Sequence, residues 1–256
     1  MKRLINPFVL SLLSFGVLSG CGSHVAPSNT STTIPTPTPT AANPNSKTIP
    51  AIEALGGWEN CTSCTGNPLA VYSMTQGVAT PSLSGASARF QLLSGTLPFG
   101  GALWFKYLGS HDSATHFVYD LSFMVDNPSA AQAIEFNVSQ SRGGSRYSFS
   151  TQCDLAGTHT WRVWDPAGQR WVDSAVACLA PAANTWNHLT WEFERDPNGN
   201  TVFTAVTLNG NRGVVNLSMG HTADSSSGVD VGFQLDAVRA ATPYSVWLDK
   251  ISLTYW

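Results

Sequence analysis

Ala133-Ile134-Glu135-Phe136-Asn137-Val138-Ser139-Gln140 alternates without interruption, with Ile134, Phe136 and Val138 opposing Glu135, Asn137 and Ser139. A period of two belongs to a β-strand with one buried face, because successive side chains leave opposite sides of the pleat. The same period runs over 118–125, where Tyr119, Leu121, Phe123 and Val125 oppose Asp120 and Ser122. Further strand-like runs are set off by turn chemistry. Asp165-Pro166-Ala167-Gly168 divides 160–164 from 169–173, Asp196-Pro197-Asn198-Gly199 divides 189–194 from 201–208, and Asn209-Gly210 is another hairpin turn. The last run, 245–248 then 250–255, reads as a closing strand bent near Asp249. There is no long amphipathic helix and no repeat of fixed period. The expectation is an all-β sandwich of roughly 12 or more strands.

Charged residues are 11% of the 256 and the net charge is −3. That argues against a nucleic-acid partner, which needs a basic face. It also gives no polybasic support for docking on a membrane. Nine Trp, six Tyr and twelve Phe are many rings for so few charges. An exposed ring can stack on the CH face of a pyranose. A ring turned inward fills the core, where most of these belong.

The N-terminus gives an address. Lys2 and Arg3 precede an apolar run from Pro7 to Leu18, and small residues follow at Ser19-Gly20. This is the layout of a secretory signal, too short to span a bilayer as a mature helix. Leu18-Ser19-Gly20-Cys21 resembles the lipobox of bacterial lipoproteins. The resemblance implies that Cys21 is acylated, carries the protein on a membrane, and is the first mature residue. The alternative is an ordinary signal peptide. Gly22 follows Cys21, so in a cell with two membranes the resemblance implies the outer one; otherwise the expected place is the outer face of the plasma membrane. Residues 1–20 are then the signal peptide. Residues 21–50 are the lipidated cysteine and a Ser/Thr/Pro-rich tether containing Ile34-Pro35-Thr36-Pro37-Thr38-Pro39-Thr40. Residues 51–256 form the domain.

With Cys21 lipidated, four cysteines remain in an oxidising compartment, which favours two disulfides in one of three connectivities. Short separations favour Cys61–Cys64 and Cys153–Cys178. Cys61-Thr62-Ser63-Cys64 lies between Gly56-Gly57 and Asn67-Pro68, a loop setting that suits a structural clip better than a redox centre. No His stands at zinc-ligand spacing beside the second pair.

Asn184-Thr185-Trp186-Asn187-His188-Leu189-Thr190-Trp191, the strand ending at Asn209-Gly210, and Val246-Trp247-Leu248-Asp249-Lys250-Ile251-Ser252-Leu253 resemble concanavalin A-like lectin/glucanase and laminin-G-like modules over about Leu103 to Trp256. The resemblance implies a jelly-roll sandwich of two antiparallel sheets. It also implies glycan binding on the concave face or at edge loops, with cleavage in some members. Laminarinase-like glucanases of this fold carry a strand Glu-x-Asp-x-x-Glu, in which the first Glu is the nucleophile and the last the acid/base. Here Glu135 matches, but amides stand at Asn137 and Gln140. An amide holds a sugar hydroxyl but donates no acid proton. Were the protein an enzyme, Glu192 on another strand is the best partner for Glu135, although Glu192 and Glu194 read equally as a solvated outer face.

Trp161, Trp164 and Trp171 cluster around the 165–168 turn. Trp161 and Trp164 are three apart and point to opposite faces of a regular strand, so at least one leaves the core. Gln152, Asp154, Arg162 and Arg170 would give such a ring a polar rim. His111, Asp112 and His116 read as a polar loop, and His188 as a hydrogen-bonded residue of the fold. No cofactor or catalytic metal is expected; Asp224-Ser225-Ser226-Ser227-Gly228 could help bind a structural calcium, as the resemblance allows, but its one Asp supplies few of the oxygen ligands such a site needs. The sequence therefore points to a lipid-anchored, non-catalytic glycan-binding domain using Glu135, Asn137, Gln140 and the three tryptophans. The alternatives are a glycoside hydrolase or polysaccharide lyase with Glu135 in its site, and a structural or adhesion domain binding protein.

Overall fold

The structure, a computed structural model, describes residues 43–65 and 69–256. Cys21 and most of the 21–50 tether lie outside these. In chain order the described strands are β1 (Lys47–Ile49), β2 (Glu59–Cys61), β3 (Tyr72–Val78), β4 (Ser87–Leu92), β5 (Gly101–Gly109), β6 (His116–Val125), β7 (Ala131–Arg142) and β8 (Ser145–Asp154). There follow β9 (Thr160–Asp165), β10 (Arg170–Ala177), β11 (Trp186–Arg195), β12 (Thr201–Leu208), β13 (Asn211–Met219), β14 (Thr222–Ala223), β15 (Gly228–Ala237) and β16 (Tyr244–Tyr255). The helical elements among the described residues are two 3₁₀ turns, Ile52–Ala54 and Pro128–Ala130.

The strands form two antiparallel sheets. One runs β13-β12-β11-β6-β16-β4-β3, with β1 added on β16. The other runs β10-β9-β8-β7-β15-β5-β2, with β14 added on β8. The chain crosses between sheets from β6 to β7, from β10 to β11 and from β15 to β16. The result is the expected jelly-roll sandwich. β1 takes Lys47–Ile49 from the end of the tether and pairs Lys47 with Tyr255 at the closing strand.

Alternation decides which residues meet between the sheets. Tyr119, Leu121 and Val125 of β6 are fully buried, and so are Ile134, Phe136 and Val138 of β7 and Val231, Phe233 and Leu235 of β15. Phe136 lies 5.5 Å from Phe233 and 5.4 Å from Phe123 between ring centroids. Each such side chain contributes about 1.5–3 kcal/mol on burial. Turn chemistry fixes the connections. Asn209 (φ 50°) and Gly210 (φ 81°) are both left-handed, as the tightest hairpin turn requires. The bend expected at Asp249 is a register shift between Asp249 and Ser252 against β6, with Lys250 at φ 56°.

Both expected disulfides are present, Cys61–Cys64 and Cys153–Cys178, with Cα separations of 5.5 and 5.6 Å. The second ties the end of β8 to the segment after β10, and both its cysteines are buried.

Candidate functional site

The outward face of the β10–β2 sheet carries a groove whose floor is built from register. Glu135 of β7 is opposite Gln152 of β8 and Gln234 of β15. One step along, Asn137 is opposite Ser150 and Gly232, and one step further Ser139 is opposite Ser148 and Asp230. Leu103 and Phe105 of β5 continue these rows beside Gln234 and Gly232. Gly232 keeps the floor low, because a Cβ there would stand 3.3 Å from the Asn137 Cβ and 3.4 Å from Leu103 Cδ1. Two adjoining hollows of about 330 and 420 Å³ share Asn137, Ser150, Leu103, Trp164 and Cys64. The Cys61–Cys64 loop borders the groove at Cys64.

Trp164 and Trp171 stand at the other side, paired across β9 and β10. Their ring centroids are 5.3 Å apart at 64°, and both are half-buried. Trp161 does not join them. It is 1% exposed and packs edge-on against Trp191 at 5.4 Å, so it is a core residue. The three-residue spacing turned Trp161 inward and Trp164 outward.

Gln140 is also absent from the groove. Strand β7 pairs with β8 from Ala133 to Arg142 without a bulge, so Gln140, five residues from Glu135, faces the opposite side. Its amide donates to the His111 and Ala114 carbonyls and accepts from Arg195, fully buried. Glu192 lies on the outward face of the other sheet, where Arg212 donates to both its oxygens at 2.8 and 2.9 Å. The core separates Glu192 from Glu135, so the two form no acid/base couple.

Glu135 has a different carboxyl neighbour, Asp236, on β15 and two residues from Gln234. Glu135 is 6% exposed. Gln152 and Gln234 each donate to Glu135 Oε1, at 3.1 and 3.0 Å, and Gln234 also donates to both Asp236 oxygens. Burial pushes the Glu135 carboxyl well above its ordinary range, and the charge of Asp236 pushes the same way. Burial also pushes Asp236 up, to about 6. Gly101 makes room for this pair, since a Cβ there would fall 2.2 Å from Asp236 Oδ1.

Arg162 donates to Gln152 Oε1 and lies 3.2 Å from Asp154. At the far end Arg146 lies 3.1 Å from Asp230 and 3.9 Å from Asp224. Asp224 also accepts from Ser141 and Ser226. Among the described residues no group of three or more His, Cys, Asp or Glu is placed to hold a metal ion.

Sequence reasoning reached Glu135, Asn137, Trp164, Trp171, Gln152 and Arg162. It passed over Asp230, Gly232, Gln234 and Asp236, although β15 alternates as cleanly as β7. What it lacked was the pairing of β15 with β7, a contact about 100 residues apart in the chain. Chemically, the groove offers apolar ring faces beside a floor of amides, hydroxyls and one buried carboxyl. That set fits a flat polyhydroxylated ligand with apolar CH faces.

No protein-family model and no curated protein matches the sequence. Similarities to solved structures are found. The chain is similar to a carbohydrate esterase from the Shiga toxin-encoding bacteriophage phi24B, at 14% identity and TM-score 0.48 over 81% of this chain and 97% of that one. It is similar to the carbohydrate recognition domain of Emp47p, at 13% identity and TM-score 0.47 over 80% and 93%. It is also similar to arcelin-5, a lectin-like defense protein from Phaseolus vulgaris, at 11% identity and TM-score 0.46 over 82% and 98%. At these identities the likeness is one of fold.

Proposed function

We propose that this protein binds a glycan in the groove over β7, β8 and β15 without cleaving it, and that an acyl group on Cys21 holds it at the cell envelope. The carrying observation is the placement of Trp164 and Trp171 beside the Asn137–Gln234 floor in one groove. Ring faces supply affinity by burying apolar CH surface, and the amides orient hydroxyls. Titration calorimetry of the full mature protein against a panel of soluble polysaccharides tests this. Trp164→Ala should weaken the best ligand about 10- to 100-fold, the equivalent of losing about 1.5–3 kcal/mol of ring burial. Unchanged affinity in that variant would remove the groove from the reading. For the anchor, Cys21→Ser should leave the membrane fraction and lose signal processing; native fractionation of that variant would refute it.

The burial of Glu135, which pushes its carboxyl up, favours a second reading, in which the groove cleaves the chain it holds and Glu135 is the acid. Retaining cleavage needs a second carboxyl about 5–5.5 Å away across the scissile bond. Asp236 instead shares a hydrogen bond with Glu135 on the same floor. Sustained release of new chain ends from a bound polysaccharide, abolished by Glu135→Gln, would establish this reading over simple binding.

A further inference from the structure

The charges around the groove carry a statement about which glycans it takes. Two guanidiniums reach the floor, and each is already neutralised. Arg162 is held by Asp154 and by Gln152. Arg146 sits between Asp230 and Asp224. Beside the tryptophans, Arg170 lies 3.4 Å from Asp165. Lys106 alternates with Phe105 on β5 and so leaves the other face of the strand, where it approaches Gly57. Glu135 and Asp236, in contrast, take the amides of Gln152 and Gln234 as donors, and among the described residues neither is in a salt bridge.

We infer that the groove is selective for uncharged polysaccharides and excludes those bearing carboxylate or sulfate. The inference rests on the glycan-binding reading above and specifies its ligand class. A uronate or sulfate laid along Trp164 and Asn137 would meet no free guanidinium among the described residues, and it would approach the Glu135 and Asp236 carboxyls, which share the Gln234 amide and no cation. Moving Arg146 or Arg162 onto the ligand would strand Asp230 or Asp154, each of them buried or nearly so, without its partner. Leaving a buried charge unpaired costs more than the new contact returns. The floor is also shielded from water, so repulsion acts there at a lower effective dielectric than on an open surface. A neutral sugar meets none of these penalties, since amides and hydroxyls serve its own hydroxyls equally well.

The test is affinity electrophoresis and calorimetry of the full mature protein at low salt, about 20 mM. The neutral probes are a mixed-linkage β-glucan, xyloglucan and galactomannan, and the acidic probes are alginate, polygalacturonate, hyaluronan and heparin. At least one neutral chain should bind, with every acidic chain at least about 10-fold weaker. Raising salt to about 0.5 M should narrow that gap, because screening shortens the repulsion. The paired variant Glu135→Gln/Asp236→Asn, with its fold checked by melting, should narrow it at low salt as well. An acidic chain that binds as well as or better than all neutral ones overturns the inference and leaves glycan binding standing. Binding of neither class removes the glycan-binding reading and this inference with it. The salt experiment needs no variant, so it decides the matter even if the paired substitution does not fold.

Discussion

On the outward face of the β13–β3 sheet, three acidic side chains each meet an Arg or His side chain from another strand of that sheet. Arg212 grips Glu192, His188 Nε2 lies 2.9 Å from Asp120, and His116 lies 3.8 Å from Glu194 while stacking on Trp256. On the outward face of the β10–β2 sheet, two carboxyls are held together in the middle of the floor with amides and no cation. Cross-strand pairing of opposite charge is the ordinary solution for a wet sheet face, and like charges side by side are destabilising. Keeping Glu135 beside Asp236 therefore costs stability, and the cost falls on the face that also has the low Gly232 floor and two half-exposed tryptophans. The first face has a hollow of its own, lined by Val118, Thr190, Thr204, Thr254 and Trp256 and closed on one side by Asn43 and Ser46. Its charged rim is already satisfied. On the proposed function, the difference between the faces is what separates a merely solvated surface from one that takes a ligand.

The comparison can be broken most strongly at the covalent staple, which only the groove-bearing sheet has at its tryptophan edge. Cys153–Cys178 closes a separation of 25 residues. Replacing both cysteines with alanine should destabilise the domain by about 3.5 kcal/mol in the chain-entropy view, against about 2 kcal/mol for the short Cys61–Cys64 loop. Urea unfolding of the two double variants measures both. If the groove edge depends on the staple, the Cys153/Cys178 variant should also weaken glycan binding at temperatures where it remains folded. Equal stability losses for the two disulfides would contradict the loop-length argument.

Much of the sandwich was legible because period two and turn residues are local. Residues 201–208 form β12 as read, and the 189–194 run grew by three residues at its start and one at its end once β6 and β12 gave it partners. The disulfides were legible for the same reason, both being short-range. The groove was only half legible. Alternation alone places Glu135 and Asn137 outward, and it also excludes Gln140 unless a bulge intervenes; the family pattern with its extra residue does not apply to this straight strand. The spacing of Trp161 and Trp164 said that one points inward but not which. That depended on Trp191, thirty residues on and in the opposite sheet. Likewise nothing local brings Asp236 to Glu135, because strand order in a sandwich is set by long-range pairing.

The next effect concerns the carboxyl pair itself and sharpens the contrast between the faces. Glu135 and Asp236 both have folded-state pKa values raised above those of the unfolded chain. Below the ordinary carboxylate range both states are protonated and the pair costs little. As pH rises the unfolded chain ionises first while the folded chain keeps its protons, so the folded state binds more protons and its stability falls with pH. The loss runs from the ordinary Asp value of 3.8 through about 6 for Asp236, and continues above that as Glu135 ionises. Glu135→Gln removes one titrating member. Relative to the native protein it should gain stability steadily as pH rises above the ordinary carboxylate range, with its Tm advantage larger at pH 8 than at pH 4. Thermal melts of both proteins across that range give the answer. Parallel curves would mean that the pair contributes no pH dependence, and the proposed difference between the faces would lose its electrostatic half.

The smallest effect is the control on the plain face. Glu192 and Arg212 make a bidentate contact, with Arg212 40% and Glu192 27% exposed as side chains. Water screens such a pair, and ordering two long side chains offsets much of the attraction, so exposed pairs contribute about 0–1 kcal/mol. Glu192→Gln should therefore lower stability by no more than about 0.5 kcal/mol, with glycan affinity unchanged. Chemical denaturation with calorimetry on the same variant measures both. A large loss of binding in Glu192→Gln would move the ligand to the hollow beside Trp256, reversing the roles assigned to the two faces.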